Sequence, residues 1–179
     1  MKKFLSVLML ACAIFTNAKA DDNKILVAYF SATGNTKAVA EKLATAINAD
    51  LFEIVPEQLY TSEDLNWQND QSRSSIEMGD RSSRPAISSK IDDMAQYKIV
   101  FVGSPIWWGR EPSIIDTFIE SYDFSDKTVI PFVTSGSSGI GDYGANLQSL
   151  APNAKVLTGK RFSNDVSAEE LKSWADEQM

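Results

Sequence analysis

The chain has 179 residues, 44% of them hydrophobic, with 17 basic and 24 acidic side chains and a net charge of −7. That length and apolar content suit one domain with a sizeable core, and the acidity speaks against nucleic acid or an anionic membrane surface as a partner. With no histidine and a single cysteine, the composition excludes Ser-His-Asp triads, Cys-His nucleophiles, thiol redox couples and the usual His/Cys zinc sites, so redox work would need a cofactor.

Residues 1–20 read as a cleaved export signal. Lys2 and Lys3 give a positive start, Phe4 to Phe15 is apolar but too short to span a bilayer comfortably, and Ala18-Lys19-Ala20 is a small-x-small site ahead of Asp21. A lipoprotein signal acylated at Cys12 is the weaker alternative, because the apolar run before Cys12 is short and does not end there. Cleavage removes the cysteine together with Lys2, Lys3 and Lys19, leaving 14 basic against 24 acidic residues and a net charge of −10. The remaining domain, residues 21–179, is then expected to be periplasmic or secreted, without a stable membrane span, and to be stable without disulfides.

The first strand is Ile25 to Phe30, a continuous apolar run of the kind buried on both faces of a parallel sheet. It stops at Ser31-Ala32-Thr33-Gly34-Asn35-Thr36, ahead of an amphipathic helix from Lys37 to Asn48 with Ala38, Val39, Leu43 and Ile47 near helical spacing. Unpaired N–H groups and the positive dipole end of that helix face the loop, and Ser31, Thr33, Asn35 and Thr36 add side-chain donors, so a phosphate is the natural guest. A turn of this composition also serves as a plain N-cap, but four donors in six residues exceed what a cap needs.

Asp50 to Val55 is a second strand ended by Pro56. Glu57 to Arg84 has little periodicity and is long for a connection, which leaves a packed surface excursion and a recognition loop as equal readings. A short helix is expected over Ser89 to Ala95, then a third strand from Tyr97 to Val102, which runs into Gly103-Ser104-Pro105-Ile106-Trp107-Trp108-Gly109. A helix follows over Glu111 to Tyr122, with Pro112 in its first turn and Ile114, Ile115, Phe118 and Ile119 on one face. The fourth strand, Thr128 to Thr134, carries Pro131, a residue that prefers sheet edges, and ends in Ser135-Gly136-Ser137-Ser138-Gly139-Ile140-Gly141. A helix over Tyr143 to Leu150, a short strand around Lys155 to Thr158, and a last helix from Ala168 to Trp174 complete the chain; Ser167 is its N-cap and Glu170 the capping-box partner.

Strand and helix alternating five times predict an α/β fold, a doubly wound and mostly parallel five-stranded sheet with helices on both faces, in one domain. Ligands of such sheets bind beyond the C-terminal strand ends. There the three loops can converge: phosphate donors from Ser31 to Thr36, two tryptophans from Ser104 to Gly109, and free backbone N–H groups from Thr134 to Gly141. A phosphorylated, flat aromatic cofactor fits that division, with Trp107 or Trp108 stacking on its ring, although such a pair also occurs as core packing. Gly139-x-Gly141-x-x-Gly144 matches the dinucleotide fingerprint formally, but it follows the fourth strand and no acidic residue closes a following strand; a nucleotidase loop is absent.

The whole domain resembles a flavodoxin. Ser-Ala-Thr-Gly-Asn-Thr after the first strand is that family's phosphate loop, with Ala32 at a variable position, and the Gly-Ser-Pro-Ile-Trp-Trp-Gly and Thr-Ser-Gly-Ser-Ser-Gly-Ile-Gly segments fall where the family places its two isoalloxazine loops. It is most similar to the subgroup with a long Tyr/Trp/Arg-containing segment after the second strand. The resemblance implies a flavodoxin-like three-layer sandwich and bound FMN. Ser31, Thr33, Gly34, Asn35 and Thr36 would hold the phosphate; Pro105, Ile106, Trp107, Trp108 and Gly109 would line one side of the flavin, and Thr134, Ser135, Gly136, Ser137, Gly139 and Gly141 the other. The second loop lacks the family's usual tyrosine, which implies one flavin face open to a substrate. No side chain stands out as a catalytic acid or base, and no metal site is expected. The expected function is electron transfer in an exported setting, with a redox partner protein or small electron acceptor. The alternatives are an NAD(P)H-dependent flavin or quinone reductase, with Glu57 to Arg84 as lid and Arg73, Arg81 and Arg84 meeting a nucleotide phosphate, and a non-redox binding module on the same fold.

Overall fold

The computed structural model describes residues 24–179, so the expected export signal lies outside it. The elements are β1 (Lys24–Tyr29), α1 (Asn35–Ile47), β2 (Asp50–Glu53), α2 (Arg73–Gly79), β3 (Tyr97–Pro105), α3 (Ser113–Glu120), β4 (Thr128–Thr134), α4 (Tyr143–Leu150), β5 (Lys155–Val156), β6 (Lys160–Phe162) and α5 (Ala168–Gln178). The sheet runs β2-β1-β3-β4-β5, with β6 continuing beside β4, and every pairing between these strands is parallel. This is the expected five-stranded parallel sheet, with its fifth strand in two pieces.

Side-chain alternation along the strands builds two cores. Leu26, Ala28, Val100, Val102, Val129 and Val133 point to the face covered by α3 and α4, where Ile114, Ile115, Phe118, Tyr143 and Leu147 are buried. Val27, Tyr29, Phe101, Ile130 and Phe132 point to the opposite face, against Val39 and Leu43 of α1 and Leu171 and Trp174 of α5. The face of α3 expected to be apolar is the one buried, each large side chain contributing about 1.5–3 kcal/mol. Phe101 and Phe162 meet the Trp174 ring edge-on, at centroid distances of 5.5 and 4.9 Å.

Several local expectations change. β3 runs three residues past Val102, to Pro105, because Ser104 and Pro105 still pair with Val133 and Thr134. β2 stops at Glu53, two residues early, and the helix expected over Ser89 to Ala95 is only a 3-10 turn at Met94–Gln96. The long segment after β2 is no structureless excursion. It contains α2, whose N-cap Ser72 accepts from the Ser75 N–H, and Glu57 N–H donates to the Ala86 carbonyl at 2.8 Å to close its base. At α5, Ser167 caps the Glu170 N–H at 3.1 Å, whereas the Glu170 carboxylate turns to Lys160 at 3.3 Å, so only half of the capping box forms.

Pro131 sits in an interior strand, and the neighbouring strand adapts to it. Val129 pairs with Val156 but Phe132 pairs with Lys160, so β5 and β6 are separated by one residue more than β4 offers between them. This is a bulge opposite the missing proline N–H. Gly159, at φ 74°, lies so close that an added Cβ would stand 2.0 Å from the Pro131 carbonyl oxygen.

Candidate functional site

β1 lies between β2 and β3, so the direction of winding reverses between β1 and β3, and a crevice opens there beyond their C-terminal ends. It holds a polar pocket of about 490 Å³. Ser31, Thr33, Asn35, Thr36, Pro105, Ile106, Trp107, Thr134, Ser135, Gly136 and Ser137 line it, so all three expected loops meet. Trp108 lines only an adjoining apolar pocket. Gly34, Gly109, Gly139 and Gly141 line neither pocket. An added Cβ at Gly141 would stand 2.8 Å from the Gly109 carbonyl oxygen, so these two loops touch main chain to main chain.

Gly34 is the N-cap of α1, with φ 87°, no side-chain cap and no acidic residue in the first turn. The N-terminal end of the helix dipole therefore faces the pocket without a negative group from its own helix. Two of the expected donors also brace the loop as acceptors: the Gly34 N–H donates to Ser31 Oγ at 3.1 Å, and Asn35 Nδ2 donates to Thr33 Oγ1 at 3.3 Å. Thr36 is 1% exposed, and its Oγ1 lies 2.8 Å from Thr134 Oγ1, which ties the first loop to the third.

Three lining residues escaped sequence analysis: Arg161, Ser163 and Asn164. Asn164 Nδ2 donates to Asn35 Oδ1 at 3.2 Å. Arg161, from β6, is the only charged side chain lining the polar pocket among the described residues. Its guanidinium donates to the Ser135 carbonyl at 2.8 Å, to Ser135 Oγ at 3.0 Å and to the Gly136 carbonyl at 3.0 Å, and so clamps the third loop. The Ser135 hydroxyl in turn donates to the Ser138 carbonyl. The adjacent Lys160-Arg161 pair was the signal available, but nothing local directs it here.

The two tryptophans separate at a tight hairpin. Trp107 N–H donates to the Arg110 carbonyl at 2.8 Å and Arg110 N–H returns to the Trp107 carbonyl at 3.1 Å, with Trp108 at φ 47° and Gly109 at φ 82° between them. Two positive φ values in a two-residue loop make a type I′ turn, which glycine adopts freely and tryptophan only under strain. Trp107 turns inward and packs edge-on against Phe30 at 5.6 Å and Tyr60 at 5.3 Å; Trp108 turns out and is 52% exposed. Tyr60 anchors the long segment: its hydroxyl donates to Glu77, and the Arg73 guanidinium lies 4.0 Å over its ring while holding Glu77 at 2.6 Å. Burial pushes the Tyr60 hydroxyl far above the usual phenol range.

Beneath the hairpin lies a buried ionic cluster. Arg110 donates to Ser113 Oγ at 3.0 Å, to the Glu111 carbonyl at 3.1 Å and to Asp116 Oδ2 at 3.4 Å. Asn146, on α4, donates to both Glu111 carboxylate oxygens at 3.1 and 3.2 Å. Burial pushes the Glu111 carboxyl up to about 7 and raises Asp116, whose Oδ1 has no hydrogen-bond partner. Arg84 forks onto Glu120 at 2.7 and 2.8 Å. Arg73 and Arg84 are therefore engaged in holding the long segment, contrary to the expectation that they meet a nucleotide phosphate.

The family model described as Flavodoxin matches residues 24–178. The chain belongs to the flavodoxin family. This flavodoxin is similar to a crystal structure from Bacteroides eggerthii, a flavoprotein by provisional assignment, with 48% identity over 87% of this chain and 97% of the other and a TM-score of 0.82. A similarly assigned Bacteroides uniformis structure shares 47% identity over 86% of this flavodoxin and 98% of its own chain, also with a TM-score of 0.82. A Lactobacillus acidophilus flavoprotein solved in complex with FMN shares the fold, at 24% identity over 86% of this chain and 99% of that one, with a TM-score of 0.65. No match was found among curated proteins. No helix of this flavodoxin, among the described residues, is long and apolar enough to cross a membrane.

Proposed function

We propose that this flavodoxin binds FMN in the polar pocket and transfers electrons, in an exported setting, to a redox partner protein or a small acceptor. The observation that carries the reading is the uncapped N-terminus of α1, opened by Gly34 at φ 87° into a pocket whose lining contains no carboxylate among the described residues. That end suits a phosphate monoester. Thr33, Asn35 and Thr36 would hold the phosphate, and the walls formed by Pro105 to Trp107 and by Thr134 to Ser137 would hold the ring. FMN bound there supplies the redox chemistry, and the chain supplies position and electrostatics. The Lactobacillus acidophilus protein of the same fold, solved with FMN, supports the choice of cofactor.

An acidic surface, −10 after signal cleavage, would steer a basic partner and lower the reduction potential by disfavouring negative charge on the flavin. The nicotinamide-dependent reading loses two of its three expected phosphate ligands, because Arg73 and Arg84 are already bound to Glu77 and Glu120. Mixing the protein with FMN, removing the excess by gel filtration and recording the visible spectrum tests the proposal. Retained flavin bands are expected, with severe loss in Gly34→Asp, which puts a carboxylate at the phosphate end. Bands that wash away from the wild type refute it and leave the non-redox binding module standing.

A further inference from the structure

Beside the polar pocket lies the second cavity, of about 390 Å³. Leu65, Trp67 and Trp108 line it, and it shares Ala32, Thr33, Pro105, Ile106 and Trp107 with the polar pocket. No charged side chain lines it among the described residues, so a dinucleotide would bring its phosphates there without a counter-charge. Its size falls within the range of small-molecule sites, roughly 300–1,000 Å³. Thr33 and Ser74 are the polar residues of an otherwise apolar lining, a balance that suits a neutral ring.

Two of the aromatic walls are left in water at a cost. Trp67 is 70% exposed and Trp108 is 52% exposed. Trp108 also keeps its strained φ of 47°, because the hairpin bonds and the buried Arg110 cluster beneath fix the turn. Strain held in this way marks a place where a side chain is presented for a purpose.

We propose that this cavity binds a neutral, planar quinone against Trp67 and Trp108, immediately beside whatever occupies the polar pocket. The inference deepens the flavin reading by naming the class of small acceptor, and it rests on that reading only for the neighbour's identity. The probe is tetramethyl-1,4-benzoquinone, whose ring offers no open carbon for addition by Cys12. Equilibrium dialysis against the full chain, with and without FMN, is expected to give saturable one-site binding in both forms. Trp67→Ala should weaken the quinone about ten-fold while FMN affinity is unchanged. Trp108→Gly should weaken it comparably while the melting temperature stays level or rises, since glycine relieves the turn.

Absence of saturable binding in either form overturns the proposal. So does displacement of the quinone by FMN, or a Trp67→Ala variant that loses FMN in the same proportion, since the cavity would then belong to the flavin's own site. A chain that retains no FMN yet binds the quinone would refute the flavin reading and uphold the quinone site.

Discussion

Glu111, just ahead of α3, is 1% exposed, and its carboxyl group is held by Asn146 of α4. Burial, reinforced by the charge of Asp116, moves its pKa from 4.5 to about 7, against the opposing pull of Arg110. Because the folded value is the higher one, the native state keeps a proton that the unfolded chain gives up between those two pH values. Stability therefore falls as pH rises through that window and levels off above it. Integrated from pH 5 to pH 8, the loss from this single group is about 2–3 kcal/mol.

Glu111→Gln removes the titration and keeps an oxygen to accept from Asn146. Any cost of refitting the amide is the same at both pH values. Urea unfolding of wild type and variant at pH 5 and pH 8 gives the comparison. The variant's stability relative to wild type should improve by about 2–3 kcal/mol on going from pH 5 to pH 8. An equal difference at the two pH values, or a larger gain at pH 5, would refute the idea that Glu111 is buried with a raised pKa.

Gly159→Ala places a Cβ 2.0 Å from the Pro131 carbonyl oxygen at a φ of 74°, so a loss of about 3 kcal/mol or more is expected in thermal or urea unfolding; a loss below about 1 kcal/mol would mean that the bulge is soft. Arg161→Ala frees the Ser135–Gly136 corner of the third loop and should weaken FMN about ten-fold by flavin fluorescence titration. Arg161→Lys should recover little, because one ammonium cannot fork across several acceptors; full recovery would assign the effect to charge alone.

Much of the sheet was legible because burial on both faces leaves long apolar runs. β4 and α4 fall on the expected residues, Thr128–Thr134 and Tyr143–Leu150. α2 has seven residues, too few for a helical period to stand out among serines, and its place depends on Tyr60 and Arg73 docking elsewhere. The two tryptophans were legible as a pair but not in their separate roles. Adjacent residues carry no signal of which turns inward, and only the type I′ turn completed by Gly109 decides it. The loop from Ser31 to Thr36 was legible as a wall of the polar pocket, while the bracing of Ser31 and Thr33 within it depends on side-chain geometry that composition does not encode.

Arg161 was hidden for a reason that begins in another strand. Pro131 lacks an N–H, and the neighbouring strand meets that gap by inserting one residue around Gly159. A one-residue insertion turns every later side chain to the opposite face. With it, Arg161 pairs with Val133 and reaches Ser135, while Phe162 pairs with Thr134 and enters the core against Trp174 at 4.9 Å. Without it, Arg161 would take the register opposite Thr134, on the face that Phe162 now fills. The proline that fits poorly in an interior strand thus sets the register that delivers the pocket's cation, and the two features act as one device.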